Sequence, residues 1–150
     1  MHWAGIFYEV VHLSCQGPLS IFSKQTVFKN QDIQISEEVD YFRVVYRGEM
    51  VYDATTEMLR ELAQRVLENN KKRLLFDLRG AKYDHYHIST IRHAEEAPAL
   101  GIDKSFRIAI LGHAGNQMLN YMENVGVNRG FNVKTFTDEP AAVEWLHDSP

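Results

Sequence analysis

The sequence predicts one small α/β domain built on a mixed sheet, with an antiparallel first strand, a parallel core and flanking helices. Stretches rich in β-forming residues alternate with amphipathic helical stretches in the order β, β, α, β, α, β, α, β, α. Units in which a helix links two strands join parallel strands through right-handed crossovers. We therefore expect a sheet of about five strands covered by about four helices.

The first two strands are predicted on either side of a short polar turn. The first lies in the loosely alternating stretch 25–35, and the second in 41–47, which is rich in Tyr, Phe and Val. Gly48 closes the second strand. Because the turn at 36–40 is short, the two strands should pair antiparallel.

The first helix has the clearest amphipathic pattern. Asp53 or Thr55 is suited to cap its start, and Asn69 with Asn70 ends it. Its buried face is predicted from apolar residues at helical spacing, namely Met58, Leu59, Leu62, Ala63, Val66 and Leu67. Its solvent face is predicted from polar residues, namely Arg60, Glu61, Gln64, Arg65 and Glu68.

The parallel core is predicted from the strands at 74–78, 106–111 and 133–136. An apolar run such as 74–78, interrupted only by Asp77, is typical of a strand covered on both faces. The second helix is expected to bury Ile88, Ile91, Ala94 and Ala97, and to end at Pro98 and Gly101. The third should bury Met118, Leu119, Met122 and Val125 before Gly130, and the last, capped by Thr137 or Asp138, should bury Ala142, Trp145 and Leu146.

Composition narrows the function classes. The chain has 150 residues, a net charge of −4 and no cluster of Lys and Arg long enough to follow a phosphate backbone, so nucleic acid is not an expected partner. Cys15 is the only cysteine, which fits a reducing, cytoplasmic setting. We expect no transmembrane segment. Residues 1–20 lack the pattern of the core and are predicted to be an N-terminal appendage to a single domain at 21–150.

Four features from 33 to 146 give the chain a family resemblance. They are the strand Leu75, Phe76, Asp77, Leu78, Arg79; the strand 106–111 shortly after Leu100 and Gly101; the helix end Asn128, Arg129, Gly130; and the closing stretch from Phe136 through Asp138, Glu139, Ala141 and Ala142 to Trp145 and Leu146. In this order and spacing they resemble the SpoIIAA-like family. This family is a branch of the STAS superfamily that is sometimes grouped with Sec14-type lipid-binding domains.

The resemblance implies a STAS-like fold, no cofactor and no catalysis. It also implies a binding or regulatory role toward a partner protein or a small apolar ligand, with a homodimer left open. Relatives in the wider superfamily act as anti-sigma antagonists switched by a phosphorylated Ser at the start of the helix after the third strand. Ser89 or Thr90 would match that position, with Ser89 the predicted phosphorylation site. However, the loop before it is longer and lacks the usual Asp, Ser, Ser, Gly run.

Ligands of open α/β sheets gather outside the carboxyl ends of the strands. The residues expected to share that edge, and therefore to form the binding site, are Asp77, Arg79, Tyr83, Ser89, Thr90 and His113. Met118, Tyr121, Met122 and Val125 would suit an adaptable apolar groove, although their helical spacing favours a core position.

The polar residues of this region also suggest two chemical alternatives. A small hydrolase or other enzyme would use Asp77, His85, His87 and His113, but no Gly-x-Ser-x-Gly elbow is present to place a nucleophile. A metal site would use His85, His87, His93 and Asp84, whose residue types suit zinc. Their spacing spreads them over a loop and a second helical turn, so we expect a solvated polar loop and no metal.

Overall fold

The computed structural model describes residues 7–12, 23–28, 32–83 and 85–148, which form a seven-stranded mixed sheet and four helices. The strands are β1 (Phe7–His12), β2 (Ser23–Phe28), β3 (Asp32–Glu37), β4 (Phe42–Glu49), β5 (Arg73–Lys82), β6 (Arg107–Leu111) and β7 (Asn132–Phe136). The helices are α1 (Tyr52–Asn69), α2 (His87–Leu100), α3 (Gln117–Asn128) and α4 (Glu139–His147).

The strands lie in the sheet in chain order, and this confirms the predicted fold class. β1 to β4 pair antiparallel with their neighbours, whereas β4 to β7 pair parallel. The stretch 25–35, expected to be one strand, contains parts of both β2 and β3, so the antiparallel side is wider than expected. β1 falls within 1–20, most of which lies outside the described residues, and the domain boundary stays a prediction.

The helices divide between the two faces of the sheet. β4 to β7 follow one another in order, so right-handed crossovers place α1, α2 and α3 on one face, where they cover the larger core. α4 follows the last strand and packs on the opposite face against Leu75, Ala109 and Leu111. Alternate residues of β5 therefore enter different cores, with Leu74 facing α1 and Leu75 facing α4.

Three side chains of α1 and α2 differ in burial from the prediction. Leu67 is 79% exposed and Ile88 is 76% exposed, whereas Arg65 is buried. Leu67 lies about 100° around α1 from Val66, at the margin of the apolar stripe. Arg65 buries its aliphatic stem and donates to the carbonyl of Ile35 at 3.3 Å.

Helix ends follow the sequence signals except at the start of α1, whose other end lies at Asn69 and Asn70 as predicted. Asp138 caps α4 by accepting from the backbone N–H of Ala141 at 3.1 Å, as predicted. α1 instead begins after Val51 without a side-chain cap, so the predicted capping role of Asp53 or Thr55 is wrong. None of the four described helices combines the length and apolarity needed to cross a membrane.

Trp145 is less buried than its helical spacing predicts. Ala142 and Leu146 are fully buried under α4, but the Trp145 indole is only half-buried at the margin of this cluster. Its ring lies 5.6 Å from that of Phe136, and the Arg107 guanidinium lies 4.0 Å over it. The indole therefore packs on the outside of the buried cluster under α4 and does not lie at its centre.

Candidate functional site

A cavity of about 170 Å³ lies between the sheet and the three helices α1, α2 and α3. We call it the helix–sheet cavity. The sheet contributes its floor through alternating residues of β5 and β6, and the helices contribute its walls. The apolar side chains that define it include Met58, Leu59, Phe76, Ile108, Ile110 and Met122. Nearly all of the cavity surface is therefore hydrocarbon.

One group of polar side chains interrupts this apolar lining, and we call it the polar patch. It consists of Tyr46, Thr55, Tyr86 and His93, all of them buried. The Thr55 hydroxyl lies 3.5 Å from the Tyr46 oxygen, and the Tyr86 hydroxyl lies 3.1 Å from His93 Nδ1. A mostly apolar pocket with a few converging polar groups is the usual form of a small-molecule site.

Both ring nitrogens of His93 have a hydroxyl partner. Nε2 lies 2.9 Å from the Thr56 hydroxyl, and Nδ1 lies 3.1 Å from the Tyr86 hydroxyl. The Thr56 hydroxyl also donates to the carbonyl of Tyr52 at 3.0 Å. Burial lowers the pKa of His93 and raises the pKa of Tyr86, so both groups are neutral near pH 7.

A stack of rings closes the outer side of the polar patch. Tyr52 stacks on His93 with ring centroids 4.5 Å apart, and the Arg92 guanidinium lies 4.0 Å over Tyr52. The Tyr52 hydroxyl donates to Glu96 at 2.7 Å. The charged groups thus remain outside the stack, and the described residues lining the cavity include no Lys, Arg, Asp or Glu.

The six predicted binding residues do not form one cluster. Thr90 lines the helix–sheet cavity and donates to the carbonyl of Tyr86 at 2.8 Å. Tyr83 and Ser89 line a neighbouring surface groove with Lys82 and His85. This groove shares Tyr86 with the cavity.

The other three predicted residues, Asp77, Arg79 and His113, lie at the α4 side of the sheet. Asp77 accepts from Arg79 at 2.8 Å and from Arg43 at 3.0 Å, and both arginines also pair with Glu139 at the start of α4. His113 Nε2 donates to the carbonyl of Arg79 at 2.7 Å. Two positive and two negative charges thus form a balanced network that ties β4 and β5 to α4.

The contacts of these side chains do not support the enzyme alternative or the metal-site alternative. Asp77 is hydrogen-bonded to Arg43 and Arg79, and in the described part of the chain no bond joins it to a histidine. His87 instead packs edge-on against Tyr121, with ring centroids 4.9 Å apart. Among the described residues, no three His, Cys, Asp or Glu side chains could hold a metal ion, and Asp84 lies outside those residues.

Sequence reasoning missed the polar patch, although two signals for it were present. Thr55 lies at the centre of the apolar stripe formed by Met58, Leu59 and Leu62, where a hydroxyl needs a specific partner. His93 lies on the buried face of α2 one turn before Ala97. A polar residue at the middle of an apolar helical face marks either a satisfied core bond or a site.

No model of a known protein family matches the chain, and no curated protein sequence does. Two solved structures are similar. One is an uncharacterized DUF3478 family protein with a SpoIIAA-like fold from Shewanella loihica PV-4, with 19% identity and a TM-score of 0.50 over 87% of this chain and 99% of that one. The other is an anti-sigma factor antagonist from Mycobacterium paratuberculosis, with 12% identity and a TM-score of 0.52 over 79% of this chain and 96% of that one.

The fold is SpoIIAA-like. This agrees with the sequence resemblance and extends over both the parallel core and part of the antiparallel side. At such low identities the likeness establishes the SpoIIAA-like fold alone, because one fold can carry many different functions. The helix–sheet cavity is the feature of this SpoIIAA-like domain that most resembles a binding site.

Proposed function

We propose that this chain is a non-enzymatic binding module that holds a small, mostly apolar molecule in the helix–sheet cavity. The single observation that supports the proposal is a cavity of about 170 Å³ with a hydrocarbon lining and one polar patch. An apolar cavity of roughly 150 Å³ in another protein stays dry and binds benzene or xenon. A one-ring molecule therefore has the right size.

The energetic cost of the cavity supports a role for it. Apolar side chains that border unfilled space lose the dispersion contacts that neighbouring atoms would otherwise provide. Side chains such as Ala94 and Ala97 line the cavity where larger residues would fill it. A ligand that occupies the space would recover part of that stability.

Filling the cavity should weaken ligand binding. We expect toluene to bind the wild-type protein, and Ala94→Leu to weaken this binding at least about tenfold because the added methyl groups occupy the cavity. Toluene is titrated into each protein, and two-dimensional NMR spectra of the backbone amides monitor its binding. Ala99→Leu is the matched control, since Ala99 is exposed on the same helix. Failure of toluene to bind, or equal binding by Ala94→Leu, would contradict the proposal.

Regulation of a partner protein is a second candidate, supported by the position of Ser89. This residue lies in the first turn of α2, the helix that follows β5, which is where the family resemblance places a phosphorylated serine. No acidic residue lies in that turn, and Lys82 lines the same groove. A phosphoryl group there would be stabilised by the helix dipole and by the lysine.

Phosphorylation of Ser89 is directly measurable. We expect mass spectrometry of the protein purified from its native host to find phosphate on the peptide that contains Ser89. The peptide containing Ser105, an exposed serine in a loop, serves as the control and should be unmodified. Full coverage of both peptides without phosphate would remove the support for this candidate.

No contact among the described residues supports the enzyme alternative. An enzyme built on Asp77, His85, His87 and His113 would need these groups to converge, whereas Asp77 is bound by arginines and His87 packs on Tyr121. A cytoplasmic location is proposed from the single cysteine in the sequence. Either candidate function is compatible with a homodimer.

A further inference from the structure

We propose that a groove at the amino ends of β5, β6 and β7 binds a small molecule that carries a diphosphate group. We call it the amino-end groove. Its volume is about 580 Å³, within the range of about 300 to 1,000 Å³ that is typical of ligand pockets. Its lining shares no residue with the helix–sheet cavity, so the two are separate sites.

The amino-end groove concentrates positive charge in a chain whose net charge is −4. Its cationic lining residues come from the loop before β5, the loop before β6 and the first residues of these strands, and they are Lys71, Lys72, Arg73, Lys104 and Arg107. The described lining residues include two carboxylates, those of Asp40 and Asp148. The groove therefore carries an excess of positive charge that favours an anionic ligand.

Most of these cations have no carboxylate against them. Lys71 pairs with Glu37, but in the described part of the chain no ion pair joins any of the other four to an acidic side chain. Lys72 reaches Asp103 only through Ser105, whose hydroxyl receives the ammonium at 3.0 Å and donates to that carboxylate. The positive charge of the groove is therefore largely uncompensated within the protein.

Two arginines stand side by side in this groove. Arg73 and Arg107 are paired in the register of β5 and β6. Neighbouring strands lie about 4.8 Å apart and residues in register share a face, so both side chains leave the sheet on the same side. Like charges in such positions repel and lower stability. An anion held between the two guanidinium groups would replace this repulsion with attraction.

The chemistry of these cations favours phosphate. The guanidinium of Arg73 has no acceptor among the described residues, so its planar fork is open to two oxygens of one group. Arg107 spends Nε on the carbonyl of Trp145 at 2.7 Å and keeps its terminal nitrogens. Lys72 and Lys104 flank the pair and add charge for a second phosphate. Because the basic segments are short, the groove suits a compact anion and not a nucleic-acid backbone.

Titration calorimetry with inorganic pyrophosphate at low ionic strength tests this proposal. We expect the wild type to bind pyrophosphate and Arg73→Gln to bind it at least about tenfold more weakly, because charge-assisted hydrogen bonds are lost. Arg60→Gln is the matched control, since Arg60 is exposed on α1 outside the groove, and it should bind like the wild type. Lys104→Gln, at an exposed position, is a second variant that should also weaken binding. Neither groove variant should melt below the wild type, because each removes repulsion.

Three other anions identify the ligand class. Orthophosphate and citrate should both bind more weakly than pyrophosphate, and equal binding by either would overturn the assignment to a diphosphate. A hexaglutamate peptide that binds more tightly than pyrophosphate would overturn it in favour of an acidic partner protein. Absence of pyrophosphate binding to the wild type, or equal affinity in Arg73→Gln and the wild type, would overturn the proposal outright.

Discussion

Leu146→Ala is expected to lower the free energy of unfolding by about 3 kcal/mol, within the range of about 2 to 5 kcal/mol found for leucine truncations in cores. Leu146 is fully buried and, with Ala142, holds α4 against Leu75, Ala109 and Leu111. α4 is only nine residues long, so few other contacts can compensate. Chemical denaturation of the variant and the wild type measures the difference.

Trp145→Ala provides the comparison on the same helix. Its spacing in the sequence predicts an inward indole and a cost of about 3 to 5 kcal/mol. Because the structure places the indole at the margin, over Arg107 and Phe136, we expect a smaller loss of about 1 to 2 kcal/mol. A loss for Trp145→Ala that exceeds the loss for Leu146→Ala would show that the indole is the main anchor of α4.

The fold was predictable because its signals are local. The alternation of strand and helix patterns fixes the element order, and right-handed crossovers then fix the parallel core. The four predicted apolar residues of α3 are all buried. Errors occurred at the margins of helical stripes, where one residue moves a side chain by 100°. Leu67 is such a case, and hydrophobicity alone does not mark the margin. Ile88 is different, since it lies on the side of α2 opposite to the buried Ala97.

The candidate site was less predictable because its parts come from distant segments. Tyr46 on β4 and Thr55 on α1 are neighbours along the chain, but His93 on α2 joins them only after the crossover between β4 and β5 has formed. The sequence pattern instead predicts a site at the carboxyl ends of the strands, where open α/β sheets usually bind ligands. Asp77 and Arg79 do lie there, but they form an ion pair with each other and so have a structural role.

Asp77→Asn should lower the free energy of unfolding by about 2 kcal/mol at pH 7, because hydrogen bonds to charged groups contribute about 1.5 to 3 kcal/mol. The buried carboxylate accepts from Arg43 and from both the side chain and the backbone N–H of Arg79. Asparagine keeps the shape but loses the charge that both arginines face. Asp53→Asn, an exposed position in the first turn of α1, is the control and should cost less than about 1 kcal/mol.

The contribution of Asp77 should disappear in acid. Burial raises the pKa of this carboxyl, but the hydrogen bonds from Arg79 and the charges of Arg79 and Arg43 outweigh burial, and the pKa is lowered overall. A lowered pKa in the folded state gives stability that is present above the ordinary value of about 4 and is lost as the pH falls through the folded value. The gap between wild type and Asp77→Asn should therefore be largest near neutral pH and shrink below about pH 4. A gap that stays constant down to pH 2 would show that Asp77 acts through packing and not through its charge.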